Sequence, residues 1–76
     1  MSVYRVVDAR FKSCPGPLLA LAKAASEASR GEIIVLLVTD PAAPVDVKEW
    51  CLSVGHRLVK IEEEDGLYKL YVEVRG

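Results

Sequence analysis

Glu32-Ile33-Ile34-Val35-Leu36-Leu37-Val38-Thr39 is the stretch on which the fold of this chain turns. A helix in a small domain buries one stripe, whereas a strand in the middle of a sheet buries both faces and reads as an unbroken apolar run. The run from Ile33 to Val38 is short, mostly β-branched, and closed by Gly31 before it and Asp40-Pro41 after it, which predicts a central strand over 32–39. Side chains alternate along a strand, so Ile33, Val35 and Leu37 share one face and Ile34, Leu36 and Val38 the other. Helices can cover one set. The other requires a partner or self-association surface, or a cover from Tyr4, Leu67 or Tyr71.

Upstream, Leu18, Leu21, Ala22, Ala25 and Ala28 repeat at helical spacing, with Pro15 and Pro17 confined to the first helical turn because proline has no N–H to donate. Before them, Val3 to Asp8 has the β-branched and aromatic character of a strand. Downstream, Val47, Trp50, Cys51 and Val54 fall at i, i+3, i+4 and i+7 ahead of Gly55, which predicts a second helix. Arg57 to Glu63 and Leu67 to Arg75 then form a hairpin around Asp65-Gly66, where glycine tolerates positive φ. The order is β-α-β-α-β-β. Right-handed crossovers put both helices on one face of a mixed four-stranded sheet, an α+β two-layer sandwich.

The 76 residues suffice for one domain, residues 1–76, with one modest core. Ten basic against eleven acidic side chains leave a formal charge of -1, so bulk attraction to nucleic acid or anionic lipid is not expected. No apolar run approaches the ~20 residues that span a bilayer. Met1-Ser2-Val3-Tyr4-Arg5 lacks the zones of a secretory signal, which makes the cytoplasm the expected address. The two cysteines are then read as thiols rather than as a structural disulfide.

Cys14-Pro15-Gly16-Pro17 places a thiol where a loop becomes a helix. Free backbone N–H groups and the helix dipole favour an anion there, so a cysteine ionises more readily than a free thiol of pKa about 8.5. The prolines stiffen the approach, and Gly16 leaves the sulfur unshadowed. Arg10 and Lys12 lie close enough in sequence to add positive potential for partner docking, or are solvated loop charges. Read from the residues alone, Cys14 is either a nucleophile or a small capping residue.

The order Asp8, then Cys14-Pro15-x-Pro17 six residues on, resembles the TusA/SirA-like sulfur carriers, whose hallmark is a Cys-Pro-x-Pro motif opening a helix. The likeness continues through Gly31-Glu32, Asp40-Pro41-Ala42, Asp46-Val47 and Trp50-Cys51, nearly the whole chain. It implies a carrier whose Cys14 accepts sulfane sulfur as a persulfide and relays it, with Asp8, Pro15, Gly16 and Pro17 supporting the site. The implied partners are donor and acceptor proteins of the rhodanese, cysteine desulfurase or DsrE-like kinds, with no cofactor and no metal. Two departures stand out: the family usually has glycine where this chain has Phe11, and often a basic residue where it has Ser13. An aromatic residue does not adopt positive φ cheaply, so a differently shaped loop is expected.

Other polar features read as structural. Cys51 shares the apolar face of the second helix and is expected to be a buried, inert thiol; Trp50 packs at the edge of that stripe, and His56 completes a helix end or faces water. Glu62-Glu63-Glu64-Asp65 is a solvated turn. No catalytic triad, phosphate loop or zinc spacing is present, so a self-sufficient enzyme is not expected. Two alternatives remain. One is a redox module with a Cys14–Cys51 disulfide, which requires Cα atoms within roughly 7 Å. The other is a protein- or RNA-binding module using the open sheet face, by fold analogy with a translation initiation factor.

Overall fold

The computed structural model describes residues 3–11 and 16–75, of residues 3 and 4 the backbone only. The elements run β1 (Val3–Asp8), α1 (Gly16–Glu27), β2 (Ile33–Val38), α2 (Ala43–Val54), β3 (Arg57–Glu64) and β4 (Leu67–Glu73). The expected order is observed, with the central strand one residue shorter at each end. The four strands lie in the order β1-β2-β4-β3. β1 runs parallel to β2, and β4 is antiparallel to both β2 and β3, so the sheet is mixed.

Both helices pack on one face. Ile34, Leu36 and Val38 of β2 join Leu70 and Val72 of β4 beneath Leu21, Ala24 and Ala25 of α1 and Val47 and Cys51 of α2. Fully burying one such leucine or isoleucine is worth roughly 1.5–3 kcal/mol, and the alanines of α1 let that helix lie close to the sheet. On the opposite face Ile33 and Val35 are also buried. Of the covers expected from the sequence, Tyr71 stands in register opposite Val35, and Leu67 sits at the hairpin end opposite Glu64. Lys60 lies over the Tyr71 ring at 4.6 Å, and the Tyr71 hydroxyl donates to Glu62 at 2.8 Å. Glu62 is therefore more than a solvated turn residue: that hydrogen bond, and then the Lys60 charge, hold its carboxyl below the ordinary range. Tyr4 falls outside the described side chains.

The connections explain the element ends. At the start of α2, Asp40 accepts from the Ala42 N–H through its side chain and from the Ala43 N–H through its carbonyl. At its end, Gly55 takes φ 86° and the N–H groups of Gly55 and His56 both donate to the Cys51 carbonyl. The hairpin turns on Asp65 and Gly66, with φ 51° and 81°, the two left-handed residues of a tight antiparallel turn. No helix among the described residues is long and apolar enough to cross a membrane.

Candidate functional site

The carboxyl end of β1 is where backbone and side chains are arranged most tightly around the predicted site. Asp8 ends the strand opposite Leu37, and the Ala9 N–H extends the pairing by donating to the Leu37 carbonyl at 2.8 Å. Asp8 then accepts three hydrogen bonds from Arg10: one from the backbone N–H at 3.1 Å, one from Nε at 2.9 Å and one from a terminal guanidinium nitrogen at 2.8 Å. The fork is a bidentate ion pair closed over a turn. It holds the Arg10 guanidinium above its ordinary pKa, first through the hydrogen bond and then through charge. Arg10 is exposed, but Asp8 largely offsets its charge where the sequence suggested a free cation.

Phe11 follows with φ 64°, in the left-handed region, with its ring 87% exposed. Phe11 itself thus takes the conformation that an aromatic residue does not adopt cheaply, while the rest of the connection, residues 12–15, lies outside the described residues. The chain keeps a positive φ at this position with an aromatic residue, at a backbone cost of roughly 1–2 kcal/mol. What holds it is long-range: the Phe11 N–H donates to the Thr39 hydroxyl at 2.9 Å, tying the turn to the end of β2. Thr39 escaped the sequence reading. Its only signal is a hydroxyl at the end of an otherwise apolar strand.

Lys12, Ser13, Cys14 and Pro15 lie outside the described residues. Description resumes at Gly16, the first residue of α1, followed by the buried Pro17. The first turn of α1 carries no acidic side chain among the described residues, so the positive end of the helix dipole meets no carboxylate there, although Pro17 has no N–H to offer. Asp8, Arg10 and Phe11 on one side and Gly16 and Pro17 on the other thus bracket the connection that contains Cys14.

The chain matches the family described as "Sulfurtransferase TusA" over residues 5–74. It belongs to that family. A relative from Archaeoglobus fulgidus is 35% identical over 68 residues, covering 90% of this chain and 93% of its own. The "Sulfur carrier protein TusA" of Pseudomonas aeruginosa is 31% identical over 75 residues, covering 99% and 95%. In structure, the SirA-like protein of Desulfitobacterium hafniense superposes with a TM-score of 0.83 at 20% identity, over 95% of this chain and 99% of that one, which shows the shared fold.

The second cysteine of this TusA-family chain is placed quite differently. Cys51 is a free thiol, 2% exposed in the core, and desolvation pushes its pKa up to about 11. A thiol that resists ionisation is a poor nucleophile. Cys51 also belongs to the far end of the sheet. Its carbonyl receives the His56 N–H, and His56 Nδ1 in turn accepts from the Arg75 N–H at 3.1 Å, beside the start of β3 and the end of β4. His56 additionally packs its ring 5.2 Å from that of Trp50. Both aromatic side chains are structural here, as the sequence suggested.

Proposed function

We propose that the chain is a sulfur carrier in which Cys14 holds sulfane sulfur as a persulfide. The observation that carries this reading is the family match across residues 5–74, within which Cys14-Pro15-Gly16-Pro17 opens α1. Relatives named sulfur carrier protein support the role, and the amino end of α1, with no acidic side chain in its first turn, supports ionisation of a cysteine beside it. In the first step the Cys14 thiolate attacks the terminal sulfur of a donor persulfide. A new S–S bond forms at Cys14, the donor's S–S bond breaks, and the donor leaves as a thiolate. In the second step an acceptor nucleophile attacks the terminal sulfur and Cys14 leaves as a thiolate, so no external oxidant or reductant is needed. Arg10 and Lys12 serve docking, and Asp8 positions Arg10. Donor and acceptor proteins are the partners, in the cytoplasm, where thiols stay reduced.

A Cys14–Cys51 disulfide is the weaker reading. The described flanks of Cys14, Phe11 and Gly16, belong to the end of the sheet marked by Thr39, while Cys51 lies near His56 at the opposite end of the β2 strand. The buried Cys51 thiol, which resists ionisation, is also a poor partner for thiol–disulfide exchange. The test is intact-mass spectrometry after incubation with a cysteine desulfurase and cysteine. The expected result is one added sulfur atom, localised to Cys14 and removed by dithiothreitol. Sulfur on Cys51 instead, or loss of two hydrogens with no added sulfur, overturns the reading.

A further inference from the structure

Between α2 and the edge strand β3 lies an open groove of about 500 Å³. Its floor is apolar: Cys51 and Leu52 from the helix, Leu58 and Ile61 from the strand. Leu52 is 76% exposed and Ile61 46%, so two large apolar side chains face water on either side of it. The rim is cationic. Lys48, Arg57 and Arg75 line it together with His56, and no aspartate or glutamate does. Lys60 contributes to the lining too, but its amine is engaged over Tyr71 and with Glu62 at 3.5 Å.

Arg5 is paired with Glu27, Arg10 with Asp8 and Lys60 with Glu62, whereas Lys48, Arg57 and Arg75 make no ion pair with a described residue. The rim cations are not alone in being unpaired, since Lys23, Arg30 and Lys69 likewise make no ion pair with a described residue. What marks the groove is that basic side chains from α2, β3 and the tail after β4 line it and no described carboxylate does, although Glu73 stands opposite Arg57 in the β3–β4 ladder. The acidic run Glu62-Glu63-Glu64-Asp65 stands at the opposite end of β3, so charge along the groove is graded from positive at Arg57 to negative at the hairpin. β3 is the last strand of the sheet and has a neighbour on one side only.

We propose that this groove docks an acidic segment of a partner protein, carrying one or two large apolar side chains. The carboxylates sit at Lys48, Arg57 and Arg75, and the apolar anchors enter between Leu52 and Ile61, which removes exposed apolar area from water. A polyanion such as RNA fits less well, because the floor offers no polar base contacts and the hairpin carboxylates repel a phosphate chain laid along β3. The groove is lined from Lys48 to Leu52 of α2 and from Arg57 to Ile61 of β3, and none of the described residues that flank Cys14 in sequence lines it. The proposal stands apart from the sulfur reading, because binding is measured with Cys14 unreacted.

The test titrates the full 15N-labelled chain with a short synthetic peptide of alternating leucine and glutamate, read by amide chemical shifts. Saturable shifts confined to the second half of α2, the start of β3 and Arg75 are expected. Lys48→Glu with Arg57→Glu, both at exposed positions, should raise the Kd at least about tenfold, and Leu52→Asp should do the same. Two control ligands complete it: a leucine–lysine peptide and a short polyuridine RNA. Tighter binding by either control, shifts centred on the open sheet face, or no saturation by the leucine–glutamate peptide overturns the proposal.

Discussion

Gly55 and Phe11 do the same backbone work at opposite ends of the molecule. Each takes a left-handed conformation, φ 86° and 64°, to turn the chain at the end of an element. At the end of α2 the residue is the one for which that conformation is nearly free, and the cap it makes is complete, with two N–H groups on the Cys51 carbonyl. At the end of β1 the residue is aromatic, strained and almost fully exposed, and its N–H donates to a hydroxyl 28 positions away. The two cysteines divide along the same line. Cys51 is buried at the well-capped end with its thiol neutral, while Cys14 belongs to the connection between Phe11 and α1. A non-glycine residue at positive φ recurs at Asp65 in the hairpin turn, so what sets Phe11 apart is that the residue is a large, almost fully exposed aromatic.

Exchanging the cysteines for alanine tests that division most directly. Cys14→Ala should abolish sulfur acceptance and transfer while leaving the unfolding midpoint unchanged, read by labelled-sulfur transfer and thermal melts. Cys51→Ala should keep transfer and lose stability on the order of 1 kcal/mol, from truncating a buried small apolar side chain. The pH dependence gives the same contrast a sign. The folded Cys51 has its pKa raised to about 11, above an unfolded thiol near 8.5, so the native state keeps a proton that the unfolded state loses. That contribution is fully present below about pH 8.5 and is lost as pH rises toward about 11. Cys51→Ala should remove this alkaline loss, and an unchanged slope in the variant would mean that Cys51 is not protected by burial.

The two ends were not equally legible in the sequence. The apolar run Ile33 to Val38, the Asp65-Gly66 turn and the Gly55 stop are local signals, and the elements fall where those signals put them. The positive φ of Phe11 was not legible because the Thr39 hydroxyl that its N–H meets is 28 positions away. The sequence leaves Arg10 open between a docking charge and a solvated loop charge, because nothing in a linear pattern says that its guanidinium folds back on Asp8. The groove beside β3 was invisible for a related reason: Lys48 on α2, Arg57 on β3 and Arg75 after β4 line it together only through the topology.

The strain at Phe11 can be measured by comparing two truncations. Phe11→Ala removes an exposed ring but keeps the cost of a Cβ at positive φ, so stability should barely move. Phe11→Gly removes that cost too and should be more stable than the alanine variant by about 1 kcal/mol, the left-handed penalty less the extra freedom glycine has when unfolded. Urea midpoints at constant m-value decide it. Equal midpoints would show that the turn relaxes once the ring is gone and that Thr39 alone sets its shape.

The smallest effect is expected from the charges, and the Asp8–Arg10 fork is the reason. Reversing Arg10→Glu together with Lys12→Glu should slow protein-to-protein sulfur transfer only a few-fold and weaken its salt dependence, because rim charges govern encounter more than affinity. The rate of Cys14 with a small neutral alkylating reagent should change less, since the helix terminus, not the rim, sets thiolate character. The fork adds an asymmetry between the two positions. Lys12→Glu alone should account for most of the slowing, because Arg10 is already offset by Asp8. If Arg10→Glu alone slows transfer as much as the double reversal, then the paired guanidinium is still what partners encounter, and the fork orients that charge rather than cancelling it. Adding Asp8→Asn to Arg10→Glu then separates these roles: recovery of transfer would mean that the slowing came from two carboxylates repelling within the turn, and continued slowing that the lost guanidinium itself was the contact.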